Sequence, residues 1–523
     1  MLKEYQISNF KPFAGPVNIP IKPITLIFGA NSSGKSAIFQ SLLMLKQTLE
    51  EGRDPNMSLL PKGNIVDLGS FREFIHNHDV SNSFSFKMTF SFPKDIFEAF
   101  DIDSYDDEAE ILHKSISSET IGLSVTFSWN NGTSNIMIPA IDLYIGNDPK
   151  PIITYKIGEK NKSGSYEYEF TGNFDHKYWH TYWECFDEKK PEAFEKQHDS
   201  DFDDLIRELE GMSDKEKEKL RNKLEEYNRE LNELKLKGNE RAVETYESFG
   251  DDVLTLKGFL PKLLNYMETK YFLWESTYEE DSRNPSTFAL TVANLIRKFL
   301  NDIEYIAPLR EYPERFYIYG GNPLESVGSS GKMVFDVLFN NPELLTKVNK
   351  EFKRFGTDYE LRLSRLSSEA FEPQLYNKST DVAASFRDVG FGFSQVLPVI
   401  VQSMSSKGKT LLIEQPELHL HPAFQAELGD LFIKSALGEQ KNTFIIETHS
   451  EHLILRLLRR IRETTNGELA EGDSPLKPED VAVIYAKPTE KGTELIELRI
   501  TEDGDFADKW PDGFFAERAK ELF

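Results

Sequence analysis

The sequence predicts an α/β fold, and three features indicate it. Residues 24–28 (ITLIF) form a short apolar run typical of a buried strand, and a glycine-rich turn and a segment of helical periodicity follow it. Residues 409–414 (KTLLIE) and 443–447 (TFIIE) are two more apolar runs, each followed by polar residues. Apolar and polar residues alternate over 81–91 and again within 121–172, where Asn-Gly marks a hairpin turn. We therefore expect an α/β core with an antiparallel β lobe.

Shifts in composition divide the 523 residues into three predicted regions. A chain of this length has room for two or three domains at about 100–200 residues each. We predict an N-terminal lobe over 1–172, a helical insertion over 173–302 and a C-terminal lobe over 303–523. The insertion is set apart because its first part, 173–248, is rich in Glu and Lys and almost free of Pro and Gly.

A helix over 213–236 is the clearest element of the predicted insertion. Ser213 and Glu216 fit a capping box at its start. Apolar residues then follow at a 4-3-4-3 spacing: Leu220, Leu224, Tyr227, Leu231 and Leu234. Such a helix would be about 36 Å long at ~1.5 Å per residue. The spacing fits a short coiled-coil-like seam of a helical protrusion, and it equally fits an ordinary amphipathic helix packed on the body.

Composition also bounds the setting and the partners of the protein. No stretch approaches the ~18 uninterrupted apolar residues of a membrane span, and the start MLKEYQISNF lacks the pattern of a signal peptide. A single cysteine, Cys185, excludes an intrachain disulfide. We expect a cytoplasmic protein without a membrane partner. The net charge of −26 excludes nucleic-acid binding through the whole surface.

One basic run leaves a local nucleic-acid contact open. The segment LRLLRRIRE contains four arginines within seven residues: Arg456, Arg459, Arg460 and Arg462. They form either a basic patch or the solvated face of an amphipathic helix. The opposite face of that helix would consist of apolar residues: Ile454, Leu457, Leu458 and Ile461.

The run from Gly29 to Ser36 (GANSSGKS) matches the P-loop pattern G-x-x-x-x-G-K-[ST] in full. It lies between the predicted strand and helix, as a P-loop requires. Glycines let the backbone wrap around phosphates, Lys35 would reach the β and γ phosphates, and Ser36 would ligate Mg²⁺. The expected ligands are ATP and Mg²⁺. The residues that we expect around the phosphates are Gly29, Asn31, Ser32, Ser33, Gly34, Lys35 and Ser36.

A P-loop needs an acidic residue on a neighbouring strand to hold Mg²⁺. Glu414 closes the apolar strand 409–414 and meets that need, so we predict it as a metal ligand beside Ser36. Farther along, Thr448-His449-Ser450 follows the strand 443–447, and His449 is predicted to sense the γ-phosphate and to position the attacking water.

These motifs resemble the ABC-type ATPase heads of the SMC, Rad50, RecF and OLD-nuclease superfamily. The run IEQPELHLHP is similar to the Walker B and D-loop segment, and the run DVGFGFSQ is similar to a divergent ABC signature. The resemblance covers roughly residues 1–91 and 303–523 and implies a homodimer or higher homo-oligomer in which two heads sandwich ATP. Gly392 and Ser394 of one subunit would then face the P-loop of the other. Lys11 and Phe13 would flank the adenine, and Asn31 would lie near the γ-phosphate.

Within this superfamily, the chain is similar to stand-alone ATPases of bacterial antiphage defence systems, of the Septu-type PtuA family and secondarily the PARIS AriA family. The runs that resemble them are YIAPLREYPERF, DVGFGFSQVLP and the ending WPDGFF. The resemblance implies an ATPase that regulates a separate effector, an HNH nuclease or a toxin. A DNA-repair or recombination ATPase of the RecF/Rad50 kind is the alternative, because the same motifs serve it.

The sequence departs from many superfamily members at Gln415. They carry two acidic residues at the strand end, and the second polarises the attacking water; here those positions are Glu414 and Gln415. An amide cannot accept a proton as a carboxylate does. Either Glu417 or His449 substitutes as the water-orienting group, or hydrolysis is slow and ATP mainly holds a conformation.

No nuclease is expected within the chain. His76-Asn77-His78 spells HNH, but an HNH nuclease needs its residues spread over a ββα metal fold rather than three in a row. Asp503 and Asp505 resemble the aspartate pair of a Toprim nuclease, yet the C-terminal stretch after His449 is too short for that domain with its upstream glutamate.

Overall fold

The computed structural model describes residues 1–52, 58–91, 120–132, 134–146, 148–160, 166–172, 286–321, 324–339, 341–389 and 391–511. The chain divides into two compact units. The small unit comprises residue 1 and residues 89–127 and 137–295, and the large unit comprises residues 2–88, 128–136 and 296–523. The candidate site lies wholly within the large unit.

The described residues form both strands and helices. In the N-terminal part they are β1 (Leu2–Ser8), β2 (Val17–Pro20), β3 (Ile24–Gly29), α1 (Lys35–Glu51), α2 (Phe71–Phe74), β4 (Phe84–Ser91), β5 (Thr120–Asn130), β6 (Asn135–Ile145), β7 (Ile153–Lys160) and β8 (Tyr166–Gly172). From residue 286 onwards the described elements are α3 (Ser286–Asn301), β9 (Ile303–Ile306), β10 (Tyr317–Ile318), α4 (Val334–Phe339), α5 (Pro342–Arg354), β11 (Tyr359–Arg365), β12 (Ala370–Asn377) and β13 (Val382–Ser385). The C-terminal elements are α6 (Phe391–Ser405), β14 (Thr410–Glu414), α7 (Pro422–Leu437), β15 (Thr443–Glu447), α8 (Glu451–Asn466), β16 (Val481–Thr489) and β17 (Gly492–Glu497).

A six-stranded sheet forms the centre of the large unit, with the order β17-β16-β3-β15-β14-β9. Its strands pair in parallel except for the edge strand β17, which is antiparallel to β16. Strands β3, β14 and β15 are buried along their whole length, which explains why their sequences are continuous apolar runs without alternation. Helix α7 packs on β3 and β15, and α8 packs on α7.

Parallel pairing decides where functional side chains meet. The carboxyl ends of parallel strands lie at one edge of a sheet, and ligands bind there in open α/β sheets. Strand β3 ends at Gly29, β14 at Glu414 and β15 at Glu447. The P-loop, the Gln415 segment and the Thr448-His449 segment therefore start side by side.

Antiparallel strands build the remaining sheets. In the large unit β1 pairs with β2, and β12 pairs with β10, β11 and β13. In the small unit β7 pairs with both β6 and β8. Strand β4 alternates strictly between buried and partly exposed residues, and a turn follows Asn130 where the sequence carries Asn131-Gly132. The predicted α/β class and antiparallel β lobe are confirmed.

The helix over 213–236 and most of the predicted insertion over 173–302 lie outside the described residues, so the helical insertion stays a prediction. The same holds for the predicted boundaries of the three regions, 1–172, 173–302 and 303–523. In the described part of the chain, no helix is long and apolar enough to cross a membrane.

The arginine run lies on α8, and its apolar face is buried as the amphipathic interpretation expects. Arg456 and Arg460 both donate to the carboxylate of Asp430. Arg459 pairs with Glu463, and Arg462 pairs with Asp505. Arg456 and Arg460 thereby tie α8 to α7, whereas the pair of Arg459 lies within α8 and that of Arg462 reaches the C-terminal segment.

We predict that Asp430→Asn lowers the free energy of unfolding by about 3 kcal/mol or less at pH 7, because Arg456 and Arg460 lose the buried carboxylate that they share. Arg456 keeps Glu427, and Arg460 keeps Glu463 and Asp473. Burial alone would raise the pKa of Asp430, but the hydrogen bond from Arg460 and the nearby arginine charges hold that pKa below its usual value. A carboxylate with a depressed folded-state pKa stabilises the fold above its unfolded pKa, and this contribution is lost as the pH falls through the folded value. The loss measured by urea denaturation should therefore shrink towards pH 3.

The matched control for this variant is Asp505→Asn, since Asp505 pairs with Arg462 at the exposed surface. An exposed pair contributes about 0–1 kcal/mol. Equal losses in the two variants, or a loss at Asp430 that does not change with pH, would contradict the prediction.

Candidate nucleotide-binding site

Two glycines allow the P-loop backbone to fold back over the start of α1. Gly29 and Gly34 both have positive φ angles, of 148° and 94°. A Cβ at Gly29 would lie 2.6 Å from the carbonyl oxygen of Ala486, and one at Gly34 would lie 2.4 Å from Cγ of Pro12. Both the backbone conformation and the close contacts therefore require glycine at these positions.

The start of α1 fits a phosphate group. Gly34 is the N-cap of α1, no side chain caps the helix, and the first turn has no acidic residue. The first N–H groups of the helix, with their positive potential, are therefore available to an anion. Lys35 is 4% exposed, and its Nζ donates to the carbonyl oxygens of Gly29 and Ala30 at 3.1 and 2.9 Å. Burial lowers the pKa of Lys35. The buried Oγ of Ser33 has no hydrogen-bond partner among the described residues, whereas Asn31 and Ser32 are exposed.

The C-terminal strands support this loop, which the sequence did not indicate. The hydroxyl of Thr493 donates to the carbonyl oxygen of Ser33 at 2.8 Å, and its backbone N–H donates to that of Pro12 at 2.8 Å. Trp510 packs edge-on against Phe28 with ring centroids 5.9 Å apart. The P-loop therefore depends on residues more than 450 positions away in the sequence.

Two carboxylates lie side by side beyond the P-loop. Glu414 and Glu447 are register partners on β14 and β15. The hydroxyl of Ser36 donates to Oε2 of Glu447 at 2.7 Å, and Lys35 Nζ lies 3.8 Å from Oε1. The hydroxyl of Tyr305 donates to Oε1 of Glu414 at 2.8 Å. Burial raises the pKa of Glu414 to about 7, and the hydrogen bond from Tyr305 opposes that rise.

Glu447 and Tyr305 are functional candidates that sequence reasoning missed. Glu447 closes an apolar strand just as Glu414 does, and this was the signal that could have found it. Tyr305 carries no such signal, because its proximity to Glu414 follows from the pairing of β9 with β14.

Glu417 is hydrogen-bonded to the segment that contains His449. Glu417 accepts hydrogen bonds from the Thr448 hydroxyl at 2.8 Å and from the His449 backbone N–H at 2.7 Å. Both of its oxygens thus hold the segment after β15. Burial lowers the pKa of His449, and the charge of Lys35 lowers it further. Gln415 has a positive φ of 45°, and its N–H donates to the carbonyl oxygen of Glu447 at 2.7 Å.

Arg310 is a third residue that the sequence analysis missed. Its guanidinium is buried and donates to the carbonyl oxygens of Glu414 at 2.9 Å and Gln395 at 3.3 Å. The amide of Gln395 donates back to the Arg310 carbonyl at 3.4 Å. Burial lowers the pKa of Arg310 to about 10, so it remains charged at neutral pH. Arg310 thereby joins the end of β14 to the first turns of α6.

The remaining predicted residues occupy separate positions. Gly392 and Ser394 lie in the first turn of α6, where a Cβ at Gly392 would come within 3.0 Å of the His419 carbonyl oxygen and Ser394 is buried. Lys11 donates from Nζ to Gln40 at 2.5 Å. Phe13 is fully buried. Their predicted contacts with a nucleotide stay predictions.

The donors present fit Mg²⁺. In the described ranges, no group of three or more His, Cys, Asp or Glu side chains is arranged to hold a metal ion. The Ser36 hydroxyl and the carboxylates of Glu414 and Glu447 are hard oxygen ligands. Mg²⁺ usually binds one or two carboxylates and takes its other ligands from phosphate and water, so these residues suit Mg²⁺ delivered with a nucleotide.

A parallel sheet with a P-loop, a buried lysine and acidic strand ends at one edge defines the class of P-loop ATPases. The family described as "AAA ATPase domain" matches residues 1–454, and the chain belongs to this family. The family described as "Protein of unknown function (DUF3696)" matches residues 476–523. Strands β16 and β17 of that second match complete the sheet of the first, and Thr493 contacts the P-loop. No curated protein matches the chain.

Solved structures with similarity to this chain include three SMC heads. One is the Smc head bound to the C-winged helix domain of ScpA, with 11% identity, 95% of this chain and 98% of that chain covered, and a TM-score of 0.40. A second is the Smc head with an extended coiled coil bound to the C-terminal domain of ScpA from Pyrococcus furiosus, with 13% identity, coverages of 100% and 98%, and a TM-score of 0.37. The third is the SMC head of Thermotoga maritima, with 8% identity, coverages of 95% and 99%, and a TM-score of 0.35. At these values the similarity adds nothing to what the family match establishes.

We predict that Arg310→Ala reduces ATP turnover more than ATP affinity, because Arg310 holds the end of β14 and makes no hydrogen bond to the P-loop. It should also lower the free energy of unfolding by about 1–3 kcal/mol, since buried carbonyl groups lose their donors. Arg310→Lys keeps the charge without the planar fork and should lie between Arg310→Ala and the unmodified chain. Steady-state kinetics and nucleotide titration give the two effects separately.

Arg315→Ala is the control, because Arg315 makes an exposed pair with Asp388 at 2.9 Å and such a pair contributes about 0–1 kcal/mol. If Arg310→Ala weakened ATP binding as strongly as turnover, or behaved like Arg315→Ala, the assigned role would be wrong.

Proposed function

We propose that this protein is a cytoplasmic, magnesium-dependent ABC-type ATPase switch that dimerises through ATP and controls a separate effector, a nuclease or a toxin, in antiviral defence. The family membership and the P-loop geometry support the ATPase part. The resemblance of YIAPLREYPERF, DVGFGFSQVLP and WPDGFF to defence ATPases of the Septu-type PtuA family supports the defence part.

The main support for a switch comes from the residues around Gln415 that could act as the general base in ATP hydrolysis. An amide stands where a water-activating carboxylate is usual in the superfamily, and both oxygens of the nearest substitute, Glu417, are engaged by Thr448 and His449. Glu414 is held by Tyr305. The P-loop can thus hold the phosphates, but Gln415 is an amide, and the carboxylates of Glu414 and Glu417 already accept hydrogen bonds. Such a site suits retention of ATP better than rapid hydrolysis.

A RecF/Rad50-like repair ATPase is the alternative, and it requires DNA to bind across the heads. The net charge of −26 and the salt bridges of Arg456, Arg459, Arg460 and Arg462 disfavour that role. A contact through this run would first have to break those pairs. DNA binding by the lone protein that weakens steeply with salt, and that is lost on charge reversal at the run, would favour the repair role.

We predict slow ATP turnover with retained nucleotide in the unmodified chain, faster turnover in Gln415→Glu, and loss of binding in Lys35→Ala. The carboxylate introduced by Gln415→Glu can accept a proton from water, whereas Lys35→Ala removes the buried cation that pairs with phosphate. Single-turnover kinetics and the release rate of a fluorescent ATP analogue measure both quantities. Brisk turnover in the unmodified chain, with no gain in Gln415→Glu, would contradict a switch held by ATP.

The effector part has its own test. The purified chain should leave DNA intact with ATP and Mg²⁺ present, and light scattering should detect a dimer with ATP that Lys35→Ala does not form. DNA cleavage by the chain alone would sink the proposal of a separate effector.

A further inference from the structure

The hydrogen bond that the Ser36 hydroxyl donates identifies the carboxylate that completes the metal site. A P-loop serine binds Mg²⁺ through an oxygen lone pair. A hydroxyl has one proton and two lone pairs, so an acceptor for the proton decides where the lone pairs face. In this chain the acceptor is Oε2 of Glu447, at 2.7 Å. The expected carboxylate, Glu414, accepts the hydroxyl proton of Tyr305 at 2.8 Å. The Ser36 hydroxyl also lies near Glu414 and lowers its pKa, but its 2.7 Å hydrogen bond goes to Glu447.

Charge balance at the edge of the sheet favours a cation beside Ser36. Glu447 and Glu414 are both buried, with 4% and 8% exposure. They are register partners on adjacent parallel strands, and neighbouring strands are spaced about 4.8 Å apart. Lys35 lies 3.8 Å from Glu447. When Lys35 turns to phosphate groups, this pairing weakens and the two carboxylates face each other. A divalent cation beside Ser36 would restore the balance.

We propose that Glu447 is the principal carboxylate of the magnesium site, as a positioning residue that orients Ser36 and counterbalances Mg²⁺, and that Glu414 is secondary. The inference rests on the proposed ATP-binding function and deepens it. It replaces the assignment of Glu414 that the sequence pattern suggested. The second acidic residue of the site would then lie at the end of β15, whereas in many superfamily members it lies at the position of Gln415.

The test compares Glu447→Gln with Glu414→Gln, two isosteric changes on neighbouring strand ends. Each protein is freed of metal with EDTA and mixed with a fluorescent ATP analogue, and MgCl₂ is then titrated while bound analogue is followed by anisotropy. Removing a residue that orients a metal ligand typically costs about 10–100-fold in metal affinity, so Glu447→Gln should raise the half-saturating Mg²⁺ concentration by about that factor. Glu414→Gln should change it only a few-fold, and affinity for the analogue in EDTA should be preserved in both.

A Mg²⁺ response unchanged in Glu447→Gln, or shifted more in Glu414→Gln, would overturn the assignment. Thermal melting without nucleotide verifies that both variants are folded. Should Glu447→Gln not fold, Glu447→Asp keeps the charge and withdraws the carboxylate from Ser36, and a normal Mg²⁺ response there would also overturn it.

Failure of the proposed function would give a different result. If the unmodified chain did not bind the analogue with Mg²⁺, or if Lys35→Ala bound it equally well, the ATP-binding function itself would be wrong. If the unmodified chain binds it and Lys35→Ala does not, but the two glutamate variants respond alike, only the assignment of Glu447 fails.

Discussion

The candidate site depends on parallel pairing in one sheet. Strands β3, β14 and β15 are completely buried, so their backbone groups bond to neighbouring strands of the same sheet, and the parallel register fixes where each ends. The polar residues that follow are thereby placed together without any loop having to bring them there. Ser36 and Glu447 are far apart in the sequence, but they reach hydrogen-bonding distance because β3 and β15 end at the same edge of the sheet.

The same arrangement concentrates charge in a poorly solvated place. Burial of an unpaired charge is costly, and the chain meets that cost with specific partners. Lys35 lies near Glu447, Tyr305 donates to Glu414, and the guanidinium of Arg310 donates to the backbone beside it. The raised pKa of Glu414 is what remains after this compensation. Burial is the main cause of that raised pKa, and the charge of Glu447 adds to it.

The sequence predicted the local parts of this arrangement and missed the distant ones. The P-loop, the strands at Glu414 and Glu447 and the amphipathic α8 each follow from a continuous stretch with a clear pattern. The contacts of Ser36 with Glu447, of Thr493 with Ser33 and of Tyr305 with Glu414 join residues from 109 to 460 positions apart, and no local periodicity encodes them. The arginine run shows the converse, because only the fold brings in Asp430 as its counter-charge.

The backbone of Gln415 explains why its side chain can be exchanged cleanly. Its N–H donates to Glu447, and its carbonyl oxygen lies 3.5 Å from the guanidinium of Arg310. These backbone groups, with the positive φ angle, fix the turn after β14, and glutamine and glutamate have side chains of the same length and shape. Replacing one by the other therefore alters proton-accepting capacity while leaving the link from β14 through Arg310 to α6 in place. The side chain of Gln415 and its backbone contacts with Glu447 and Arg310 thus involve different atoms of one residue.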